Sequence, residues 1–198
     1  MEHIIQFFTI DRVLELFGLL VGLLYLYWEY HADPKMWFAN IVMPTISFWV
    51  YYRAGLYADF AMNCYYFVMA IYGYILWTTG RQRQKAHRPI TSISTKQILA
   101  LIPIFIAIYA ALTYWLVEWT DSTVPYWDAF TTAGSIVATW MLARKYLEQW
   151  YVWITVDIVC VGLFCYKDRP FYAILYTIYV VIAVFGAIKW RRLMKEGL

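Results

Sequence analysis

Seven apolar segments of bilayer length constrain this chain more strongly than any other feature of its sequence. A transmembrane helix needs ~20 predominantly apolar residues, and the segments run from about 13–30, 36–52, 56–78, 97–118, 126–143, 149–165 and 170–190. Hydrophobic residues make up 63% of the 198 and charged residues only 15%, too few to cover a water-soluble domain. The sequence therefore predicts an all-α integral membrane protein of seven transmembrane helices.

The distribution of basic residues predicts how these helices are oriented in the membrane. The 79–96 connection carries a run rich in Arg and Lys, which is typical of a cytoplasmic loop and needs no nucleic-acid partner. With that loop inside, the same side holds all of the 16 Lys and Arg residues except Arg12, Arg53, Lys167 and Arg169. The positive-inside rule then places the N-terminus outside and the C-terminus inside.

Cysteine and histidine residues give no sign of a metal site or a nucleophilic active site. The three cysteines lie inside apolar segments without a CxxC pair, and the three histidines lie in loops or near the N-terminus. We therefore expect no metal, no cofactor and no enzymatic activity.

An internal repeat emerges when the sequence is aligned with itself at an offset of 113 residues. Identities at this offset pair Phe17 with Phe130, Trp37 with Trp150, Tyr66 with Tyr179, Gly73 with Gly186 and Trp77 with Trp190. Compositional likeness between membrane helices is the alternative, but the matched glycines and tryptophans favour duplication. We predict one transmembrane domain over 1–198, in which repeat one (13–78) and repeat two (126–190) are parallel and a linker helix (97–118) joins them.

Asp157 is the most conspicuous charged residue, because it interrupts the apolar segment 149–165 near its middle. Placing an ionisable group at that depth costs roughly 2.5–3.5 kcal/mol, and such groups commonly mark a ligand site or a pathway. Successive helical residues are rotated by ~100°, so Trp150 and Trp153 share a face with Asp157. At the repeat offset, Trp153 corresponds to Asn40, which adds an amide from the first repeat.

The third helix of each repeat completes the predicted binding residues. Asn63 and Tyr66 share one helical face in the first repeat, and Tyr176 and Tyr179 share one in the second. Aromatic rings attract a flat cation, and a carboxylate pairs with its charge. The predicted substrate-binding residues are Asn40, Asn63, Tyr66, Trp150, Trp153, Asp157, Tyr176 and Tyr179. The alternatives are interfacial anchoring for the tryptophans, packing for the tyrosines and an internal hydrogen bond for the aspartate.

Several motifs resemble those of the PnuC-type vitamin transporters. They are Pro125-Tyr-Trp-Asp128, Ser135-Ile-Val-Ala138, Arg144-Lys-Tyr-Leu-Glu148, the WxxWxxxD run from Trp150, and Ile71-Tyr-Gly73 with Trp77. The likeness covers nearly the whole chain and implies two parallel three-helix repeats with the architecture of SWEET sugar transporters. It also implies that the protein lies among the lipids of the bacterial inner membrane and takes up a vitamin by facilitated diffusion. A homotrimer and a cytoplasmic kinase that phosphorylates the vitamin are further implications of the resemblance.

One departure from that family's nicotinamide riboside carriers bears on the substrate. Asp157 stands where they typically have Asn, at the end of WxxWxxxN. An ionised carboxylate only accepts hydrogen bonds, whereas an amide also donates, so the change weakens the predicted fit to a carboxamide. Thiamine has a cationic ring and an amino group, so we predict thiamine ahead of nicotinamide riboside, with riboflavin third. A cation channel with Asp157 as its filter is the rival class, which a saturable vitamin flux would exclude.

Overall fold

The computed structural model describes residues 10–53, 57–79 and 89–197. Within these ranges the chain forms α1 (Ile10–Tyr30), α2 (Met36–Arg53), α3 (Tyr57–Thr79), α4 (Thr95–Trp119), α5 (Pro125–Ala143), α6 (Gln149–Tyr166) and α7 (Pro170–Glu196). The all-helical prediction is confirmed, and the helix bounds follow the predicted segments closely, with the largest difference at the longer end of α7. Residues 80–88, which hold most of the basic run used to orient the chain, lie outside the described residues.

Four of the described helices are long and apolar enough to cross a membrane, namely Phe60–Thr79 within α3, and α4, α6 and α7. Local sequence sets their ends. The Ser94 hydroxyl accepts a hydrogen bond from the Gln97 backbone N–H at the start of α4, and the Gln97 side-chain oxygen accepts one from the Ser94 backbone N–H. Gly197 ends α7 with a φ of 76°, a conformation that glycine adopts without strain. No residue of α4 is buried, as expected of a helix that contacts lipid.

The helices divide into two compact units, residues 1–81 (unit 1) and 82–198 (unit 2). In unit 1, α2 packs against both α1 and α3. In unit 2, α4 packs on α5, α5 on α6 and α6 on α7. Sequential packing of this kind follows from short connections, because a short loop leaves consecutive antiparallel helices side by side.

Each unit contains the same contact between one glycine and two tryptophans. In unit 1, the Trp37 and Trp77 rings lie edge to face with centroids 5.6 Å apart, and a Cβ at Gly73 would lie 2.3 Å from the Trp37 ring. In unit 2, Trp150 and Trp190 repeat this geometry at 5.6 Å, and a Cβ at Gly186 would lie 2.7 Å from the Trp150 ring. Both glycines therefore let an indole approach the helix backbone.

The turns that precede these contacts also correspond. Ala32, between α1 and α2, has a φ of 54°, and Lys145, between α5 and α6, has a φ of 62°. Non-glycine residues seldom adopt positive φ, and these two positions are related by the 113-residue offset of the sequence repeat. The backbone therefore turns in the same unusual way at equivalent positions of the two units.

Glu148 links the segment before α4 to the loop between α5 and α6 through hydrogen bonds. Its carboxylate accepts hydrogen bonds from the Ser92 hydroxyl and, at 2.9 Å, from the Ile93 backbone N–H. Thr91 forms an isolated parallel bridge with Tyr146, and the Gln97 side chain donates to the Tyr146 hydroxyl at 2.8 Å. The beginning of α4 is thus held by one acidic side chain and one phenol.

Replacement of Glu148 by Ala is expected to lower the stability of unit 2. The half-buried Ile93 N–H loses its acceptor, and an unsatisfied buried donor costs about 1–3 kcal/mol. The apparent melting temperature of the purified protein in detergent measures the effect. Glu118→Ala, at an exposed position of α4, is the matched control. Equal melting temperatures for the two variants would show that Glu148 does not hold this segment.

Candidate binding site

Asp157 is buried near the middle of α6. Its exposed fraction is 6%, and among the described residues it makes no hydrogen bond and no ion pair. The structural alternative, a hydrogen bond to a neighbouring tyrosine or threonine, is therefore not observed in the part of the chain that the structure describes. A buried carboxylate without a partner among the described residues is available to a bound group that can donate hydrogen bonds or carry positive charge.

Aromatic side chains extend from Asp157 along the contact between α6 and α7. Tyr179 on α7 lies close enough to Asp157 for an electrostatic interaction. Tyr179 is packed edge to face on Tyr176 with centroids 5.6 Å apart, and Tyr176 is stacked on Phe164 at 5.2 Å. Phe164 is in turn stacked on Tyr172 at 5.1 Å. Four rings, Tyr172, Phe164, Tyr176 and Tyr179, therefore form a continuous ladder that leads to the carboxylate.

The two tryptophans that precede Asp157 on α6 occupy different environments. Trp150 is 2% exposed and fills the space beside Gly186. Trp153, one turn closer to Asp157, is only half-buried, yet its indole Nε1 is buried and unpaired among the described residues. An indole nitrogen can only donate a hydrogen bond. Together, the Trp153 indole and the Asp157 carboxylate provide a donor and an acceptor that are unpaired among the described residues.

Polar residues of unit 1 form a separate cluster. The Tyr25 side chain on α1 lies beside Glu29 and Asn40 and close enough to Tyr66 for an electrostatic interaction. Glu29 is 3% exposed. Tyr66, on α3, packs against the ring of its neighbour Tyr65 at 5.6 Å. Two of the predicted residues, Asn40 and Tyr66, therefore lie near the Tyr25 side chain.

The other predicted residues are placed as follows. Asn63 is half-buried on α3, one turn before Tyr66, and has an interaction partner within the protein. In unit 2, Trp153 and Asp157 lie on α6, and Tyr176 and Tyr179 lie on α7.

The residues of these clusters that the sequence did not indicate include Tyr25, Glu29, Phe164 and Tyr172. Glu29 and Tyr25 sit near the end of α1, where an acid next to a polar turn is typical of the membrane interface. Phe164 carries no polar group that distinguishes it from other apolar residues. A spacing of four residues between Tyr25 and Glu29, which places them on one helical face, was the available signal.

The described residues offer no site for a metal. They contain no group of three or more His, Cys, Asp or Glu side chains placed to share an ion. Cys64, Cys160 and Cys165 are free thiols. The chemistry of both clusters is that of carboxylates, amides, phenols and indoles, which bind organic molecules through charge, hydrogen bonds and stacking.

Comparison with known proteins places the chain among vitamin transporters. Residues 12–192 match the family described as "Nicotinamide mononucleotide transporter". A relative described as the nicotinamide riboside transporter PnuC of Escherichia coli is 23% identical, over 92% of this chain and 87% of its own length. The riboflavin/roseoflavin transporter RibM of Streptomyces davaonensis is 24% identical, over 89% of this chain and 83% of its own length.

A solved structure shares the fold. The crystal structure of the vitamin B3 transporter PnuC superposes with a TM-score of 0.72, over 99% of this chain and 88% of that one, at 22% sequence identity. At that identity the likeness concerns the fold, and the seven-helix arrangement described above is therefore the fold of a known transporter.

Proposed function

This chain belongs to the nicotinamide mononucleotide transporter family, and we propose that it takes up nicotinamide riboside, with Asp157 pairing with the cationic ring. It is a multi-pass protein of the bacterial inner membrane and a transporter of the PnuC type, not an enzyme. The observation that carries the proposal is the buried Asp157 carboxylate, which has no partner among the described residues.

The pyridinium of nicotinamide riboside matches the unpaired groups of α6. A carboxylate pairs with the ring's positive charge and accepts hydrogen bonds from the carboxamide or the ribose hydroxyls. The Trp153 indole supplies a donor, and the rings of Trp153 and Tyr179 offer cation–π attraction of about 0.5–2 kcal/mol each. The site residues that we propose are Asn40, Asn63, Tyr66, Trp150, Trp153, Asp157, Tyr176 and Tyr179.

Relatives favour nicotinamide riboside over thiamine, the vitamin that the sequence alone ranks first. The physical reason for that ranking was the aspartate in place of an asparagine. Both vitamins carry a cationic aromatic ring, however, so Asp157 attracts either one. The carboxamide of nicotinamide riboside also has two N–H groups that a carboxylate can accept. The substitution therefore does not exclude nicotinamide riboside.

We also propose that the chain is one transporter domain over 1–198, built from two parallel three-helix repeats with the N-terminus outside and the C-terminus inside. The matched tryptophan–glycine contacts and the matched positive φ of Ala32 and Lys145 support the duplication. Transport is by facilitated diffusion, and a cytoplasmic kinase that phosphorylates the vitamin makes uptake directional. The working form is a homotrimer.

Intrinsic tryptophan fluorescence of the detergent-purified protein tests the substrate. Titration with nicotinamide riboside is expected to give saturable quenching, because Trp153 lies one turn from Asp157. Thiamine and riboflavin, titrated separately, are expected to bind at least about tenfold more weakly, a difference of about 1.4 kcal/mol. Tighter binding of thiamine would restore the original ranking, and no quenching by any of the three vitamins would contradict the proposed function.

A further inference from the structure

An apolar groove lies between the beginning of α5 and the end of α6, within unit 2. It has a volume of about 490 Å³ and is lined by Val124, Trp127, Val159, Gly162, Leu163 and Tyr166. None of these residues belongs to the proposed vitamin site. A rotation of ~100° per residue places the lining residues of α6 on the side of the helix away from Asp157. The groove is therefore distinct from the vitamin site.

The missing side chain of Gly162 leaves this groove open. A Cβ at Gly162 would meet no described atom within 4 Å, so close helix packing does not require glycine here. Leu163 beside it is buried, whereas the rings of Trp127 and Tyr166 are 55% and 75% exposed. The stretch of α6 from Val159 to Tyr166 is about 10 Å long. The groove is thus elongated, apolar and bordered by two exposed aromatic rings.

The surroundings of this groove are the lipid bilayer. Helix α6 is long and apolar enough to cross a membrane, and an apolar surface at that depth contacts hydrocarbon chains. Trp127 lies in the first turn of α5, and Tyr166 is the last residue of α6. Tryptophan and tyrosine at the ends of membrane helices lie at the level of the lipid head groups. The groove therefore follows the course of an acyl chain from the head groups into the hydrocarbon.

The polar end of the groove carries charges of both signs. Asp128 follows Trp127, Lys167 follows Tyr166, and the Lys167 Nζ donates to both carboxylate oxygens of Asp128, at 3.2 and 3.4 Å. An ammonium has three N–H groups, and the third has no partner in the described part of the chain. Asp168 and Arg169 come next and are exposed. A wholly basic end would favour an anionic lipid, whereas two acids and two bases complement a head group that contains both a phosphate and an ammonium.

We infer that the groove between α5 and α6 binds a phospholipid whose zwitterionic head group carries a primary ammonium. One acyl chain lies along Gly162, between the rings of Trp127 and Tyr166. The phosphate accepts hydrogen bonds from Lys167 and Arg169, and the ammonium donates to a neighbouring carboxylate. This inference does not depend on which vitamin the protein transports.

Thermal unfolding of the delipidated protein in detergent tests the site. Phosphatidylethanolamine is expected to raise the apparent melting temperature by about 4 °C or more, because a ligand that binds only the folded state stabilises it. Phosphatidylglycerol with the same acyl chains should raise it clearly less. Gly162→Leu fills the groove and should abolish the rise. Gly22→Leu, on α1, is the matched control, because a Cβ there also meets no described atom within 4 Å; it should keep the rise.

Quenching of Trp127 fluorescence tests the same site without a change at Gly162. Phosphatidylethanolamine with brominated acyl chains is titrated into wild type, Trp127→Phe and Trp119→Phe. Wild type should show a saturable component of quenching that Trp127→Phe lacks. Trp119→Phe should retain that component, since Trp119, which is 73% exposed at the end of α4, does not line the groove.

Three results would overturn the inference. They are equal rises in melting temperature with the two lipids, a rise that survives Gly162→Leu, and the absence of a saturable component that depends on Trp127. If Gly162→Leu instead changed the oligomeric state, as measured by light scattering in detergent, the groove would be occupied by a second copy of this chain. That result would also contradict a lipid site.

Discussion

Asp157→Asn is expected to weaken nicotinamide riboside binding about thirtyfold or more. The change removes a negative charge and preserves the size of the side chain, at a position that is 6% exposed. Removal of one partner of a buried charge pair costs about 2–5 kcal/mol, and 1.4 kcal/mol corresponds to a tenfold change in Kd. Fluorescence titration of the purified variant measures the change.

The control for this prediction is Asp121→Asn, which makes the same chemical change at an exposed position between α4 and α5. It should leave the Kd within about twofold, since surface charges contribute little. A neutral analogue of the ligand, with a reduced and uncharged nicotinamide ring, should bind wild type and Asp157→Asn about equally. If Asp157→Asn bound the cationic vitamin as tightly as wild type does, the carboxylate would not be its counter-ion.

The helices could be predicted from the sequence because the membrane imposes a length requirement. A segment such as 149–165 must be apolar over ~20 residues to span the bilayer, and its observed helix, Gln149–Tyr166, ends one residue later. Asp157 could also be identified from the sequence, because the composition of an apolar segment does not account for a charged residue near its middle. The length of a helix does not determine which of its faces contacts which neighbouring helix.

Glu29 shows why part of the site could not be predicted. It lies at the penultimate position of α1, where a charged side chain ordinarily reaches the aqueous interface. Its burial depends on how α1 packs on α2, which brings Asn40 of α2 to Tyr25. Contacts between helices arise from the fold as a whole. No periodicity within α1 distinguishes a buried glutamate from an exposed one at that position.

The ranking of thiamine ahead of nicotinamide riboside rests on a single substitution. An aspartate in place of an asparagine changes the hydrogen-bond polarity, which by itself favours thiamine. Its charge is the larger effect at a buried position, and that charge suits any cationic aromatic vitamin. The order of candidate vitamins therefore depends on how the other residues of the site contact the ligand.

Gly73→Ala is expected to destabilise the protein by about 1–3 kcal/mol, the usual cost of an overpacked core. The new Cβ would lie 2.3 Å from the Trp37 ring, which is shorter than a van der Waals contact. Trp37 is completely buried, so its ring cannot shift toward solvent. Gly22→Ala, in α1 of the same unit, is the matched control, because a Cβ there meets no atom within 4 Å. That control should be neutral or slightly stabilising, since Ala favours a helix by about 1 kcal/mol over Gly.

A second substitution identifies the contact that causes the loss. Trp37→Phe removes the ring atoms that a Cβ at Gly73 would meet, and the Trp37 Nε1 has no hydrogen-bond partner to lose among the described residues. The double variant should therefore be more stable than the sum of the single changes predicts, because contacting residues couple. Apparent melting temperatures in detergent of wild type, the two single variants and the double variant provide the double-mutant cycle. Additive changes would mean that Gly73 is required for some reason other than the approach of this indole.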